Sequence, residues 1–427
     1  MKSINNKHVS GIENKQPFAL LPLEPTHKKN YEHEHLEEIS SEGKNNKDKI
    51  LNKYKACIVL HSVGDTIGFG EGYTEFNEFL QDIDYNYTNE MVFKFISYGG
   101  INNLFMDKWN ASDDTVLHMA TANGLINVKK TNDKFDIETY GKKIMTEYLK
   151  SMDNLSPARY PGKMTMTSLK MLKNGTDWNE IPYAIPGTGD GNGATIRSSC
   201  IGLSFYKESD LDKLIAVSIE SARMTHNSVV GYIGALNTSY FISLAIRGVD
   251  YSKWPHMFID LLESEIIEKF LEKSGRGIKE FKREKNYCIS LWKKYILGRF
   301  TGKNIRYAVF MINPAYRNKY YADNFGLPRD TINSTFYFAG KGALDCVIIA
   351  YDAFVDSMMA ANNPCWEKLI IYSAIHSGDS DSTGAVAGSF WGAYNGFDGV
   401  PKSNYSKLEY LEELNNIGTQ LFDMYYK

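Results

Sequence analysis

The sequence predicts an all-α fold, and three observations point to it. Apolar residues recur at helical spacing: Leu211, Leu214, Ile215, Ser218, Ile219 and Ala222 share one face, and Trp366, Leu369, Ile370, Ser373 and Ala374 share another. Strand-like alternation of apolar and polar residues is rare. The joints between apolar runs are rich in Gly and Asn, as turns and helix ends are. With no internal repeat, these helices are expected to build a single compact domain.

Along the chain, Met1–Ile50 is rich in Lys, Asn, His, Glu and Ser and reads as a disordered polar tail, because it has too little apolar surface to offset the entropy of ordering. Its run Lys44–Lys49 reads as solvated charge. Residues 51–427 read as the globular domain. Ser112 is a fitting N-cap for a helix through Val116–Ala122, which places Asp113 and Asp114 in its first turn beside free backbone N–H groups. Ser156–Pro186, with Pro157, Pro161, Pro182 and Pro186, reads as a long ordered loop of functional kind. Gly187–Ala194 is a glycine-rich turn, followed by an expected helix from Thr195 to Phe205. Phe258–Leu271 reads as one helix with an acidic wet face. Gly378–Gly384 opens a helix over Ala385–Tyr394. The small residues Gly384, Ala385, Ala387, Gly388, Ser389 and Gly392 there suit close backbone packing at the centre of the fold.

The formal net charge is −3 and no basic stripe marks the globular part, which argues against a nucleic-acid partner. No apolar stretch reads as long enough to span a bilayer, and the N-terminus lacks the apolar core of a signal peptide. Cys57, Cys200, Cys288, Cys346 and Cys365 are scattered without paired spacing, as reduced thiols in the cytosol are. The expectation is a cytoplasmic monomer without nucleic-acid or membrane partners.

Two acidic clusters carry the candidate chemistry. One is Ser112-Asp113-Asp114-Thr115 and the other is Gly378-Asp379-Ser380-Asp381-Ser382-Thr383-Gly384. Each stands where an apolar helix begins, and a buried carboxylate there needs compensation. Carboxylates with hydroxyls suit Mg²⁺ or Mn²⁺ rather than zinc. Solvated helix caps are the alternative reading. The third feature, Gly187-Thr188-Gly189-Asp190-Gly191-Asn192-Gly193-Ala194, has no preceding strand and no P-loop lysine, so neither dinucleotide-binding pattern fits. Its glycines and the expected helix N-terminus could receive a diphosphate, and a plain surface turn is the alternative.

Taken together, these segments resemble the ADP-ribosylhydrolase family, and within it the ADP-ribosylarginine hydrolases. The resemblance runs through Val63-Gly64-Asp65-Thr66-Ile67-Gly68, Ser112–Ala122, Gly191–Arg197, Ser218–His226, Ile349–Ala353 and His376–Gly388. It implies an all-α fold with a dimetal cleft holding two Mg²⁺ ions, Mn²⁺ being the alternative, and hydrolysis of the bond between ADP-ribose and a modified side chain. By position it makes Ser112, Asp113, Asp114, Asp379, Asp381 and Ser382 metal ligands. Gly189, Asp190, Gly191 and Asn192 would line the diphosphate, and His226 would sit near the bound ADP-ribose. Glu75 matches an acidic residue on a loop near the metals. The chain departs from the arginine-hydrolase pattern where Lys163 follows Gly162, where Leu344 precedes Asp345, and at Phe69.

The implied partners are ADP-ribosylated proteins or ADP-ribose-arginine. Asp114, with Asp113 beside it, is the expected catalytic carboxylate, either taking a proton from water or steadying the departing guanidinium; Glu75 is the alternative base. The competing classes are an inactive ADP-ribose-binding module and a hydrolase of serine or O-acyl linkages. Both acid clusters are intact, which favours an enzyme.

Overall fold

Val229–Ile246 has no polar face, and the structure shows why. Every one of its residues is buried, encircled by other helices. Its mean hydropathy of 1.5 over 18 residues is enough to cross a membrane, so the expectation that no stretch is long enough is corrected: this one passes by length and composition, and its apolar surface is covered by protein. Ser228 caps it, its hydroxyl accepting from the Gly231 N–H at 3.0 Å.

The computed structural model describes residues 39–70, 86–97, 99–131, 134–184, 188–302, 304–305, 313–328, 337–360 and 363–426. In chain order, α1 (Ile39–Phe69), α2 (Asn86–Ser97) and the one-turn α3 (Gly100–Asn103) lead to α4 (Asp113–Thr131) and α5 (Ile137–Ser151). Then come α6 (Lys163–Lys173), the short α7 (Ser199–Ser204), α8 (Leu211–Arg223), the central α9 (Val229–Ile246), α10 (Trp254–Glu263), α11 (Ile266–Ser274) and α12 (Ile278–Arg299). The last group is α13 (Pro314–Phe325), α14 (Ala343–Met358), α15 (Trp366–Ser373), α16 (Ser380–Asn395) and α17 (Leu411–Tyr425). Strands among the described residues are two antiparallel pairs, with Phe300 opposite Ile305 and Leu327 opposite Phe338. The all-α expectation holds.

α9 packs on α7, α8, α12, α14 and α16. Phe241 on α9 meets the rings of Trp254, Trp292 and Tyr351, each at 5.4 Å, which ties α10, α12 and α14 to the centre. α1 and α16 cross with their backbones touching. A Cβ on Gly64 would lie 2.0 Å from the Gly384 carbonyl oxygen, and one on Gly388 would lie 2.0 Å from that of Leu60. The small residues of α16 therefore serve as expected. The crossing carries the last turns of α1 to the first turn of α16, where the Ser380 hydroxyl donates to the Gly68 carbonyl at 2.8 Å.

Four local expectations need correction. α1 begins at Ile39, so the last part of the expected tail is helix, while residues 1–38 lie outside the described residues. Phe258–Leu271 is two helices, α10 and α11, broken at Ser264. The proline-bounded segment contains α6, whose Thr165, Ser168, Leu169 and Leu172 are buried. Thr195–Phe205 is one 3₁₀ turn, Ile196–Ser198, followed by the six-residue α7, and a separate 3₁₀ turn, Asn192–Ala194, precedes it.

Candidate functional site

The first acid cluster is built from the start of α4. The Ser112 hydroxyl accepts from the Asp114 N–H at 3.1 Å, the cap the sequence predicts, and leaves Asp113 and Asp114 in the first turn. From α1, Asp65 reaches the same helix start. Its carboxylate accepts from the backbone N–H groups of Ser112 at 3.3 Å and Thr115 at 3.2 Å, and from the Thr115 hydroxyl. Asp65 thus satisfies helix-terminal donors from outside the helix.

The second cluster begins α16. The Ser382 hydroxyl donates to the Asp114 carboxylate at 2.7 Å, joining the two clusters. Asp381 accepts from the Ser382 N–H at 2.7 Å, and Asp379 accepts from the Asn192 amide at 3.0 Å. His376 braces this turn. Its Nδ1 accepts from the Gly378 N–H at 3.0 Å, so the ring proton is on Nε2, which donates to Thr383 Oγ1 at 2.8 Å.

Asp65, Asp113, Asp114, Asp379 and Asp381 are all buried. Burial, then the Asp381 charge, pushes the carboxyls of Asp113 and Asp114 well above the usual range. Burial and Asp379 do the same to Asp381, and burial with Asp114 pushes Asp379 up to about 7. Burial raises Asp65 despite its hydrogen bonds. Among the described residues none of the five forms an ion pair. Such a set of oxygen donors fits a hard divalent cation in chemistry. In spacing it does not: among the described residues no group of three or more Asp, Glu, His or Cys side chains is placed to hold one ion. Asp114 and Asp379 instead face the protein donors Ser382 and Asn192, so the dimetal arrangement is not formed by the side chains as they stand.

The glycine-rich turn forms the neighbouring wall. The Ser228 hydroxyl donates to the Gly189 carbonyl at 2.8 Å, the Ala343 N–H donates to the Asp190 carbonyl at 2.8 Å, and Gly191 bridges Gly342. The charge of Asp190 acts on Cys288 and Tyr287 of α12. With α7 starting late and running only six residues, the helix-terminus part of the anion argument is lost; the backbone of the turn remains.

His226 lies against this turn, its Nε2 3.6 Å from where a Gly191 Cβ would stand. Thr225 Oγ1 accepts from Arg197 at 2.7 Å and is hydrogen-bonded to His226 Nδ1 at 2.8 Å, which fixes the imidazole ring against the turn. Burial and the Arg197 charge hold His226 neutral, its pKa lowered to about 3. The Gly162 N–H reaches Asp113 from the proline-bounded segment. Glu75 and Gly187 lie outside the described residues.

A family model described as ADP-ribosylglycohydrolase matches residues 46–427. The chain belongs to the ADP-ribosylglycohydrolase family. Among its relatives, the ADP-ribosylhydrolase ARH1 of Dictyostelium discoideum is 33% identical over 405 residues, covering 89% of this chain and 95% of that protein. The ADP-ribosylhydrolase ARH3 of Homo sapiens is 26% identical over 326 residues, 74% of this chain and 79% of that one. A solved structure titled ADP-ribosylglycohydrolase-related protein complex superposes with a TM-score of 0.52 at 18% identity, covering 88% of this chain and 99% of its own, and supports the fold alone. As a hydrolase of this family, the chain has three side chains that sequence reading placed only within motifs: Asp65, Arg197 and His376. Their common signal is a charged or imidazole group inside an otherwise apolar or small-residue run.

Proposed function

We propose that this chain releases ADP-ribose from ADP-ribosylated arginine in proteins, in a reaction that depends on Mg²⁺. One observation carries the metal part: five buried carboxylates lie close enough for their charges to act on one another, with no ion-paired partner among the described residues. Like charges buried together need protons or a cation to balance them. Ser112, Asp113, Asp114, Asp379, Asp381 and Ser382 would hold the ions once Asp114 and Asp379 turn from the Ser382 and Asn192 donors they now face. When bound, Mg²⁺ supplies charge neutralisation, orientation of the ribose hydroxyls and a lowered pKa for water.

The residues supply the rest. His226 and the backbone of Gly189–Gly191 orient the diphosphate and ribose. Asp114 faces the reacting carbon, where water adds as the bond to the guanidine nitrogen breaks. It accepts the proton of that water or steadies the departing guanidinium; Glu75 is the alternative base. A cysteine nucleophile is disfavoured, because Cys57, Cys200, Cys288 and Cys346 are buried and burial pushes their thiols up.

The arginine preference is supported by the motif resemblance and by higher identity to the protein named ARH1 than to the one named ARH3. Both acid clusters are retained, which favours catalysis over a binding module. Incubation with arginine-linked and serine-linked ADP-ribosylated peptides tests the linkage. Faster release from arginine is expected, and release from serine alone would overturn that preference.

A further inference from the structure

A second recess, of about 330 Å³, lies where the end of α7, the start of α8, the last turns of α9 and α10 come together. Ser228, beside the glycine-rich turn, caps the start of α9 and Arg247 ends that helix. At a rise of about 1.5 Å per residue the recess is therefore about 20–30 Å along α9 from that turn. Its floor is apolar. Phe205, Leu214 and Met257 line it, and Phe205 is held by the rings of Tyr140 at 5.7 Å and Tyr425 at 5.6 Å. A single ring fits with room for a polar group, since an apolar cavity of about 150 Å³ takes benzene.

Tyr240 and Arg247, seven residues apart and so on one face of α9, add polar groups to this floor. Tyr240 is 8% exposed, and its hydroxyl has no hydrogen-bond partner among the described residues. Burial raises its pKa, so the phenol keeps its proton and is a donor. The Arg247 side chain is 21% exposed, and its Nε donates to the Ser243 carbonyl at 3.4 Å. The carboxylate that pairs with it, Glu208, stands 3.7 Å away on a side chain that is 90% exposed. That separation is too long for a hydrogen bond, and a pair so open to water contributes little. The guanidinium thus keeps two parallel donors for a carboxylate, and Tyr240 supplies a third. The charges of Glu208 and Asp260 also reach Tyr240, which favours one negative charge on a ligand over two.

We propose that this recess is a second binding site, made for a small monoanionic carboxylate with one apolar ring. The ring lies on Phe205 and Leu214, and the carboxylate lies between Arg247 and Tyr240. The site is separate from the acid clusters and does not depend on the hydrolase reading.

The probe is benzoate, titrated into the full chain by ligand-observed NMR, with acetate, benzyl alcohol and phenyl phosphate as comparisons. The site predicts saturable benzoate binding about tenfold or more tighter than acetate or benzyl alcohol, because each of these lacks the ring or the charge. Phenyl phosphate, with its second charge, binds more weakly than benzoate. Arg247→Gln weakens benzoate binding by about tenfold, and Tyr240→Phe by about fivefold, the loss of one hydrogen bond. Both variants are expected to stay folded by circular dichroism. Saturating ADP-ribose leaves the benzoate dissociation constant within about twofold, as two uncoupled sites require. No saturable benzoate binding by wild type, an unchanged constant in both folded variants, displacement of benzoate by ADP-ribose, or tighter binding of phenyl phosphate each overturns the proposal. Should Arg247→Gln fail to fold, Tyr240→Phe, which removes a single oxygen, decides on the same titration.

Discussion

Asp379 accepts from Asn192, is pushed up to about 7 by burial and by Asp114, and stands beside Asp381, which burial and Asp379 also raise. An unfolded Asp titrates near about 3.9. The folded, metal-free protein therefore binds more protons than the unfolded chain between about pH 4 and 7, and its stability falls as pH rises through that window. A divalent cation competes with those protons. The rise in melting temperature given by Mg²⁺ over EDTA is therefore expected to grow from about pH 5 to about pH 8; an equal rise at both would contradict the acid-cluster account. Asp114→Asn removes one of the repelling charges. It should leave the metal-free melting temperature unchanged or higher while turnover falls by at least about 100-fold, as read by ADP-ribose release alongside a thermal melt. The acids themselves were legible because a cap residue and a helix start fix where Asp113, Asp114, Asp379 and Asp381 lie. The direction of Asn192, the bracing role of His376 and the reach of Asp65 were not, since each depends on which carbonyl or N–H a distant segment presents.

α1 and α16 meet backbone to backbone, and that crossing sets the distance between the acid clusters. Gly388→Ala would press a methyl into the Leu60 carbonyl, 2.0 Å away in the present geometry. A loss of about 1–3 kcal/mol in urea denaturation is expected, accompanied by weaker Mg²⁺ binding because Asp65 and Asp381 are carried on the two helices. Full stability in Gly388→Ala would show that the crossing yields easily. A second buried assembly ties α12, α13 and α14. Arg299 meets Asp352 at 2.7 Å and Asp356 at 2.6 Å, Arg317 pairs with both acids, and Tyr295 donates to Asp352 at 2.7 Å. Asp352→Ala strands two guanidinium groups and should cost about 3–5 kcal/mol. Sequence reading found the helices with a single apolar face and the small-residue stripe of α16. It missed α6, where Met164-Thr165-Met166-Thr167 alternates and blurs the helical period, and it ran through the break at Ser264 because apolar residues continue on both sides.

The fold class was legible for the whole chain because helical periodicity survives in most segments. Which helix is central was not, since the burial of α9 on every side comes from partners far away in sequence. From Lys47 onward α1 packs on the globule: Lys47 lies over the Phe422 ring at 5.7 Å, and Tyr54 donates to the Leu203 carbonyl at 2.7 Å. The tail boundary expected at Ile50 is therefore too late for a truncation. Deleting residues 1–38 is expected to leave melting temperature and turnover unchanged within error, whereas deletion through Leu51 should lower both. The account as a whole rests on a cation held by the two acid clusters for glycosidic cleavage. The measurement that tests it most directly is ADP-ribose release from an arginine-linked ADP-ribosylated peptide, by wild type and by Asp379→Asn, in Mg²⁺ and in EDTA. The account predicts release by wild type in Mg²⁺ and background in the other three arms, with Asp379→Asn folded by circular dichroism; equal release in EDTA, or by Asp379→Asn in Mg²⁺, would contradict it.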